Sequence, residues 1–434
     1  MNKDKRNYFQ IVTVVVCIAV FILAILVFAG KIKIGNSNSS GSMQTVTVWG
    51  VLPEEKIQPI LEKNVTKTLK YTYRQVSSES FRNALLESIA NANGPDLLLF
   101  DTKTLYSIRD KVSTIPYATY PEATFRQTYI DGADILLNQT GTYGLPLLVD
   151  PMVIYYNRDI FARAGFANPI TSWDELYTIV PSITKKNSNN TFAISTIPFG
   201  LSENVSYNKD MLVTLLGQAG VPVVYVNNNV AYANLVSSVS ENNTAGISML
   251  DFYMQFSNPT SDYYSWNKLN PDAKIAFVQN SLAIYPGYAS ELFELRQRNP
   301  NLNFAPALMR QFINSNVFYT TGYFYAIGVS SSSLQPTVAY SAMYALTTPE
   351  VETQFAQSVS LPPANRDLLS LKPETTYAPV FYKSALFTHG WLDPNSSETK
   401  NRFASMVSDV VSGRLSESDA LNKLERELNA ILNP

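Results

Sequence analysis

The sequence predicts an α/β fold with more than one domain, placed behind an N-terminal segment that crosses a membrane. Three observations lead to this prediction. Strand and helix patterns alternate from residue 45 onward, the chain has 434 residues, and the run Ile11–Ala29 is apolar except for Thr13. A chain of this length exceeds what one compact core holds. The apolar run is long enough to span a bilayer as a helix.

The residues around the apolar run set its orientation. Lys3, Lys5 and Arg6 precede it against a single aspartate, which favours a cytoplasmic N-terminus and a cell-membrane protein with its bulk outside. A cleaved signal peptide is the alternative, with Val27–Ala29 as its cleavage pattern, although the run is long for one. Both alternatives place the rest of the chain outside. Lys31–Ser42 is rich in Ser, Asn and Gly, which is typical of a flexible tether.

Composition excludes several classes of function. The formal net charge is −2, so electrostatics gives no reason to expect a nucleic-acid partner. Cys17, the only cysteine, lies in the apolar run, and His389 is the only histidine. The outer part therefore has no disulfide, and most zinc, copper and haem sites are ruled out. We expect neither a cofactor nor a metal.

The first elements alternate as in an α/β lobe. Thr45–Trp49 alternates in polarity and stops at Gly50, which predicts a strand. Asp96–Phe100 is continuously apolar after its aspartate, as in a strand buried on both faces of a sheet. Between them we predict a helix at Glu54–Asn64, a strand at Thr68–Val76 and a helix at Ser80–Ala92.

Two later segments are predicted to cross between lobes. Tyr143–Asn157 is interpreted as two short strands separated at Pro151, because proline cannot donate to a strand ladder. Tyr323–Val329 is predicted as the return crossing. Between these crossings, Ser281–Tyr285 is predicted as a strand and Pro286–Tyr288 as a tight turn that exposes Tyr288.

The remaining segments are mainly helical. Predicted helices begin at Arg158, Ser172, Lys209, Thr244, Asn270 and Thr348, and the last one presents Leu421, Leu424, Leu428 and Leu432 on one face.

The order of five motifs resembles that of the extracellular solute-binding proteins, family 1, which serve carbohydrate-type ABC transporters. The motifs are Tyr143–Tyr177 (YGLPLLVDPMVIYYNRDIFARAGFANPITSWDELY), Ala276–Ser290 (AFVQNSLAIYPGYAS), Ala326–Val329 (AIGV), Leu361–Ala364 (LPPA) and Gly413–Leu428. The chain departs from the family at Asn280, where glycine is usual, and at Tyr288, where tryptophan is usual. Arg366 lies two residues later than the usual arginine.

The resemblance implies a two-lobed, type II periplasmic-binding-protein-like fold that closes on its ligand in an interlobe cleft and performs no catalysis. It implies a small solute, a sugar or oligosaccharide, and ABC transporter permease subunits as partners of a monomer. The predicted organisation is 1–30 as membrane anchor or signal segment, 31–43 as tether, 44–150 with about 326–372 as first lobe, and 151–325 with about 373–434 as second lobe.

Candidate ligand-binding residues follow from the geometry of open α/β sheets, in which ligands lie beyond the carboxyl ends of strands. Those positions are Trp49, Gly50, Val51, Asp101, Asp150, Met152, Gly287, Tyr288, Gly322 and Tyr323. Some have structural alternatives: Trp49 could be core, and Asp101 could cap the segment after it.

Two other functions remain open from the sequence. A membrane-anchored ectodomain could sense the same ligand without feeding a transporter. A secreted glycosidase could use Asp101 and Asp150 as its two carboxylates, because glycoside hydrolysis needs such a pair.

Overall fold

The computed structural model describes residues 43–189, 191–227, 230–236, 244–313, 315, 317–371, 373 and 375–433. The predicted membrane segment, and the tether up to residue 42, lie outside these ranges. Within the ranges, no helix combines the length and apolar character needed to cross a membrane. From Thr45 onward the chain forms one compact unit.

Strands and helices alternate as the sequence predicts at the start of this unit. The strands are β1 (Gln44–Gly50), β2 (Leu69–Gln75), β3 (Leu97–Asp101), β4 (Val112–Ser113), β5 (Ile115–Pro116), β6 (Gly141–Thr142), β7 (Leu145–Asn157), β8 (Lys185–Lys186), β9 (Phe192–Ile194), β10 (Val224–Asn227), β11 (Val230–Ala233), β12 (Ile284–Tyr288), β13 (Phe304–Ala307), β14 (Thr320–Ser330) and β15 (Thr388–His389).

The helices are α1 (Glu54–Lys63), α2 (Phe81–Ala90), α3 (Thr102–Ile108), α4 (Glu122–Thr128), α5 (Arg158–Arg163), α6 (Leu176–Ile183), α7 (Asn208–Gln218), α8 (Ala245–Met254), α9 (Ala273–Val278), α10 (Leu292–Arg298), α11 (Pro336–Leu346), α12 (Pro349–Val359), α13 (Arg366–Ser370), α14 (Ala378–Ala385), α15 (Ser396–Val411) and α16 (Glu417–Leu432). Short 3-10 helices occur at Arg109–Lys111, Asp131–Leu136, Trp173–Glu175, Gln255–Ser257 and Ala289–Glu291.

One mixed sheet of nine strands organises the described chain. Its main order is β12-β7-β14-β3-β1-β2, with β13 paired to β7, and with β4 and β15 paired to β14. β1 and β3 run parallel. β14 runs antiparallel to both neighbours, with Tyr325 opposite Asp101 on β3 and Tyr323 opposite Asp150 on β7. The first part of β14 therefore lies at the edge where β1 and β3 have their carboxyl ends.

The prediction of two short strands at Tyr143–Asn157 is wrong. β7 is one strand of 13 residues, and Pro151 pairs with Gly322 of β14. The neighbouring Met152 carbonyl faces β14, where it accepts a hydrogen bond from the Thr320 hydroxyl, so the proline nitrogen faces away from β14. On that side the pairing with β12 has already ended at Met152. A proline is tolerated there because no amide donor is required.

The predicted turn at Pro286–Tyr288 is also wrong. All three residues belong to β12, where Tyr288 pairs with Met152, and the Tyr288 side chain is 3% exposed. The chain bends after Tyr288 because the Glu291 carboxylate accepts a hydrogen bond from the Tyr288 amide at 2.9 Å. Gly287 leaves room for this carboxylate, since a Cβ there would lie 2.5 Å from Glu291 Oε2.

In the part of the chain that the structure describes, apolar side chains form two buried clusters. The first includes strands β1 and β3 and reaches Phe381 of α14, and the second includes Trp173 and the leucine face of α16. β7 contributes to both, with Val153 in the first and Met152 in the second, because successive strand residues point to opposite faces. The lobe limits predicted near residues 150, 326 and 372 stay a prediction.

A buried glutamate provides a test of the packing around α12. Glu352 is 1% exposed and accepts the Asn365 amide hydrogen bond at 2.9 Å, while burial raises its pKa from 4.5 to about 8. Between these pH values the unfolded chain loses a proton that the folded chain keeps, so this group lowers the free energy of unfolding as pH rises. Glu352→Gln should remove that loss. Between pH 4.5 and pH 8, the free energy of unfolding of wild type should therefore fall by on the order of 2–4 kcal/mol more than that of the variant.

Urea unfolding at the two pH values measures this difference. Glu350→Gln is the matched control, because Glu350 lies in the same first turn but is exposed. Identical pH dependence in Glu352→Gln and wild type would show that Glu352 is ionised in the folded protein.

Candidate functional site

The candidate site lies where β7, β14 and β12 meet at the sheet edge described above. Asp150 of β7 faces Tyr323 of β14 in the ladder, and Met152 of β7 faces Tyr288 of β12. These positions differ by two residues along β7, so their side chains share one face of the sheet. The ladder thus brings together four residues that were predicted as ligand contacts from three separate parts of the chain.

Three aromatic rings meet at this point, and we call Tyr207, Tyr288 and Tyr323 the tyrosine cluster. The ring centroids of Tyr288 and Tyr323 are 4.8 Å apart with their planes 36° apart, and Tyr207 meets Tyr288 edge-on at 5.0 Å. Both geometries are favourable for aromatic pairs. Burial raises the pKa of all three phenols well above the usual value, so the cluster is neutral at physiological pH.

Helix α7 holds a carboxylate against the tyrosine cluster. The Tyr323 hydroxyl donates to Asp210 at 2.8 Å, and the Thr321 amide donates to Thr214 Oγ1 at 3.2 Å. Asp210 and Thr214 are four residues apart and therefore lie on one helix face. This face of α7 is thus fixed on β14, with the carboxylate beside the aromatic rings.

Helix α3 brings a cation to the same place. The Asp101 side chain accepts the Thr104 amide hydrogen bond at 2.9 Å and caps α3, so the alternative that Asp101 is an N-cap is confirmed. Lys103 is the second residue of α3, and its Nζ lies 3.8 Å from the Tyr323 ring centroid and 5.6 Å from that of Tyr288. Both distances are within the range of a cation–π interaction.

Asp150 is the buried carboxylate of the crossing. It is 3% exposed and accepts the Ser290 amide hydrogen bond at 3.0 Å. Burial raises its pKa to about 6, against the opposing effects of the Ser290 donors and of the Lys103 charge. Asp150 is therefore close enough to Lys103 for the positive charge to stabilise its ionised form.

Two buried polar groups near this point have no hydrogen-bond partner among the residues that the structure describes. The Tyr288 hydroxyl makes no hydrogen bond of normal geometry to any residue that the structure describes, and the same is true of both amide atoms of Asn208, a residue 1% exposed in the first turn of α7. Buried donors and acceptors are nearly always satisfied in folded proteins, by protein or by bound molecules. Unsatisfied groups beside an aromatic cluster are therefore consistent with a ligand site.

The other predicted site residues lie at the same edge but make contacts within the protein. Trp49 is 4% exposed beneath the Arg74 guanidinium, 4.3 Å from its ring centroid. Gly50 packs against the Tyr73 ring, and the Val51 amide donates to the Leu99 carbonyl at 3.0 Å. Met152 is buried in the second apolar cluster, and Gly322 packs closely on Thr388 and on the Asp150 carbonyl.

Sequence reasoning missed four members of the site: Lys103, Tyr207, Asn208 and Asp210. Lys103 could have been predicted, since it comes two residues after Asp101, which was selected as a candidate because it follows a predicted strand. Asn208 and Asp210 flank the start of the helix predicted from Lys209, but a helix start alone does not indicate a neighbour on β14. Tyr207 carried no signal.

A buried ion pair fixes the first turn of α7. Lys209 Nζ lies 2.6 Å from Asp393 Oδ2, with both side chains about as buried as core residues at 5% and 6% exposed. Lys209 also contacts Thr399 Oγ1 at 3.3 Å and lies 5.5 Å from the Trp391 ring centroid. The pair therefore joins α7 to the C-terminal segment next to the position that presents Asp210.

The described residues include no group of His, Cys, Asp or Glu side chains arranged to hold a metal ion. The only histidine, His389, stacks on Tyr319 with ring centroids 4.9 Å apart.

Comparison with known proteins identifies the family. Residues 59–381 match the family described as bacterial extracellular solute-binding protein, and the chain belongs to this family. A protein of Brucella abortus strain 2308 whose name describes it as a binding protein is 30% identical over 95 residues. That match covers 21% of this chain and spans 23% of the length of the relative.

Solved structures show the same fold over nearly the whole chain. A solute-binding protein of an ABC transporter from Thermotoga lettingae, bound with alpha-D-tagatose, has a TM-score of 0.67 at 18% identity and covers 90% of this chain and 100% of its own. The cyclic alpha-maltosyl-1,6-maltose binding protein from Arthrobacter globiformis has a TM-score of 0.73 at 17% identity, covering 90% and 99%. The chain thus has the two-lobed α/β fold of solute-binding proteins.

The ion pair that fixes α7 is open to a direct test. Lys209→Met leaves Asp393 buried without its cation, and we expect a loss of about 3–5 kcal/mol in the free energy of unfolding. Lys209→Met combined with Asp393→Asn should recover part of that loss, since the uncompensated charge is gone. Chemical denaturation of the variants measures both effects.

The matched control is Lys268→Met, because Lys268 pairs with Glu203 at 2.7 Å with side chains 59% and 45% exposed. Exposed pairs contribute about 0–1 kcal/mol. Equal losses from Lys209→Met and Lys268→Met would contradict the role given to the buried pair.

Proposed function

We propose that the chain captures a small solute, a sugar or an oligosaccharide, in a cleft between its two lobes and delivers it to an ABC importer without altering it. The single observation that carries this proposal is the tyrosine cluster with its adjoining carboxylates. Flat aromatic faces suit the C–H surface of a sugar ring, and carboxylates accept hydrogen bonds from its hydroxyls.

The contacts rank the proposed ligand-binding residues. Tyr288, Tyr323 and Asp150 come first, because they meet at the strand junction, and Asp210 joins them through the hydrogen bond that it accepts from Tyr323. The other positions are proposed as neighbours that shape the cleft by backbone and ring surfaces: Trp49, Gly50, Val51, Asp101, Met152, Gly287 and Gly322.

The local chemistry supports binding in preference to hydrolysis. A glycosidase needs one carboxylic acid and one carboxylate free to act on the substrate. Asp101 accepts hydrogen bonds from the Ser78 hydroxyl at 2.7 Å and from the Thr104 amide. Both of its oxygens are thus engaged in holding α3 and the loop before α2. We therefore propose that the protein is not an enzyme.

The structural relatives support the choice of solute and partner. The Thermotoga lettingae protein belongs to an ABC transporter and holds a monosaccharide, and the Arthrobacter globiformis protein is named for a cyclic oligosaccharide. We further propose that the Ile11–Ala29 segment anchors the protein, a monomer, in the cell membrane. The anchored lobes would then present solute to permease subunits at the outer surface.

Titration calorimetry of the outer part against mono- and oligosaccharides tests the capture of a sugar, and small-angle scattering with and without the binding sugar tests hinge closure. A smaller radius of gyration on binding is the expected result. Folded protein that binds no member of a broad sugar panel would contradict the proposal.

Tyr288→Phe tests the site while keeping the aromatic ring and its packing. The Tyr288 hydroxyl is buried without a partner in the described chain, so its removal should leave the melting temperature unchanged or higher. If this hydroxyl contacts the sugar, affinity should fall by about tenfold, which corresponds to one hydrogen bond. Calorimetry and thermal melting of the same preparations provide both numbers.

Tyr344→Phe is the matched control, because the Tyr344 hydroxyl on α11 is also buried without a partner among the described residues. We expect the control to retain wild-type affinity. Equal affinity of Tyr288→Phe and wild type would remove Tyr288 from the group of ligand donors.

A further inference from the structure

The tyrosine cluster already holds an occupant, the ammonium group of Lys103. Its Nζ lies over the Tyr323 ring at 3.8 Å and within 5.6 Å of the Tyr288 ring centroid. Among the residues that the structure describes, this ammonium has no ion pair and no hydrogen bond to an oxygen. The aromatic faces are therefore its direct partners.

The neighbouring lysine behaves differently. Lys209 contacts Asp393, the Ser396 carbonyl and hydroxyl, and Thr399. Its charge is thus neutralised by a set of oxygens, as buried ammonium groups require. Lys103 has no comparable set among the described residues, although it is only half-buried and reaches the site from the first turn of α3. Its direct contacts are the rings of Tyr323 and Tyr288, and the Asp150 carboxylate lies close enough to attract its charge.

The surroundings of the tyrosine cluster favour a cation. Tyr323 donates its hydroxyl to Asp210 at 2.8 Å, and such a bond to a carboxylate makes the ring more electron-rich. Asp150 adds a second acidic group on the same face of the sheet. Aromatic faces flanked by carboxylates are the arrangement by which proteins recognise ammonium groups.

An anionic solute fits the same surroundings poorly. It would have to approach Asp150 and Asp210 with only Lys103 to compensate for them, and like charges at short range raise the free energy of binding. A neutral solute would need to displace Lys103 without replacing its interaction with the rings. A solute that carries its own ammonium replaces that interaction directly.

We propose that Lys103 is a built-in occupant of the tyrosine cluster, and that the solute is an amino sugar whose ammonium group takes its place. This inference rests on the proposed function, since it names the class of sugar captured at the same site. When solute enters, the Lys103 side chain turns back toward solvent from α3. Lys103 thus competes with the solute and lowers its affinity.

Calorimetry with sugars that differ in charge tests the inference. The probes are glucosamine, glucose and glucuronate, together with the β-1,4-linked tetramers of glucosamine and of N-acetylglucosamine. We expect the ammonium forms to bind at least about tenfold more tightly than their neutral counterparts. Glucuronate should bind most weakly.

Lys103→Met distinguishes a competitor from a ligand contact. It keeps the length of the side chain and removes the charge, so ammonium-bearing sugars should bind about three- to tenfold more tightly to the variant than to wild type. Lys67→Met, at an exposed lysine, is the control and should change nothing. Melting temperatures of both variants confirm that they are folded.

The outcomes separate the two proposals. Binding of glucose, N-acetylglucosamine tetramer or glucuronate that is as tight as, or tighter than, that of the ammonium forms overturns the amino-sugar inference and leaves sugar capture in place. Weaker binding of the ammonium forms by Lys103→Met also overturns it, because Lys103 would then contact the solute. If no sugar in this panel or the broader one binds, both proposals fail.

Discussion

The pairing of β7 with β14 is the constraint on which the rest of the structure depends. These strands have 13 and 11 residues and lie side by side in the middle of the sheet. Their register places Asp150 opposite Tyr323, and β12 adds Tyr288 beside Met152. A shift of one residue would move every side chain to the opposite face. The candidate site therefore exists only in this register.

Helices on that face stabilise the register and complete the site. α7 is buried along its whole length, and it contacts β14 through Asp210 and Thr214 while Lys209 connects it to the C-terminal segment. α3 begins directly after Asp101, which is both its N-cap and the last residue of β3. Polar groups that hold these helices in place are hydrogen-bonded within the protein. The groups left without a partner among the described residues, Tyr288 Oη and the Asn208 side-chain amide, are those available to a solute.

Much of the first part of the fold could be predicted from the sequence. The alternation β1, α1, β2, α2, β3 follows from local periodicity, and that signal requires no knowledge of distant contacts. The two wrong predictions, at Pro151 and at Pro286–Tyr288, have a common cause. Proline and glycine usually interrupt strands, but Pro151 lies where no partner needs its amide, and Gly287 leaves space for Glu291. In both cases the reason that the residue is tolerated in a strand lies outside the local sequence of that strand.

The sequence by itself determined the family, the α/β class and the strand ends at which a solute is expected, because periodicity and ordered motifs are local properties of the chain. It also indicated Tyr288 and Tyr323 as candidates. Only the tertiary structure decided that these two rings touch, that Tyr207 and Asp210 join them, and that Lys103 lies over their faces. Those contacts join residues from separate parts of the chain, and their geometry depends on strand register and helix packing, which no local pattern encodes.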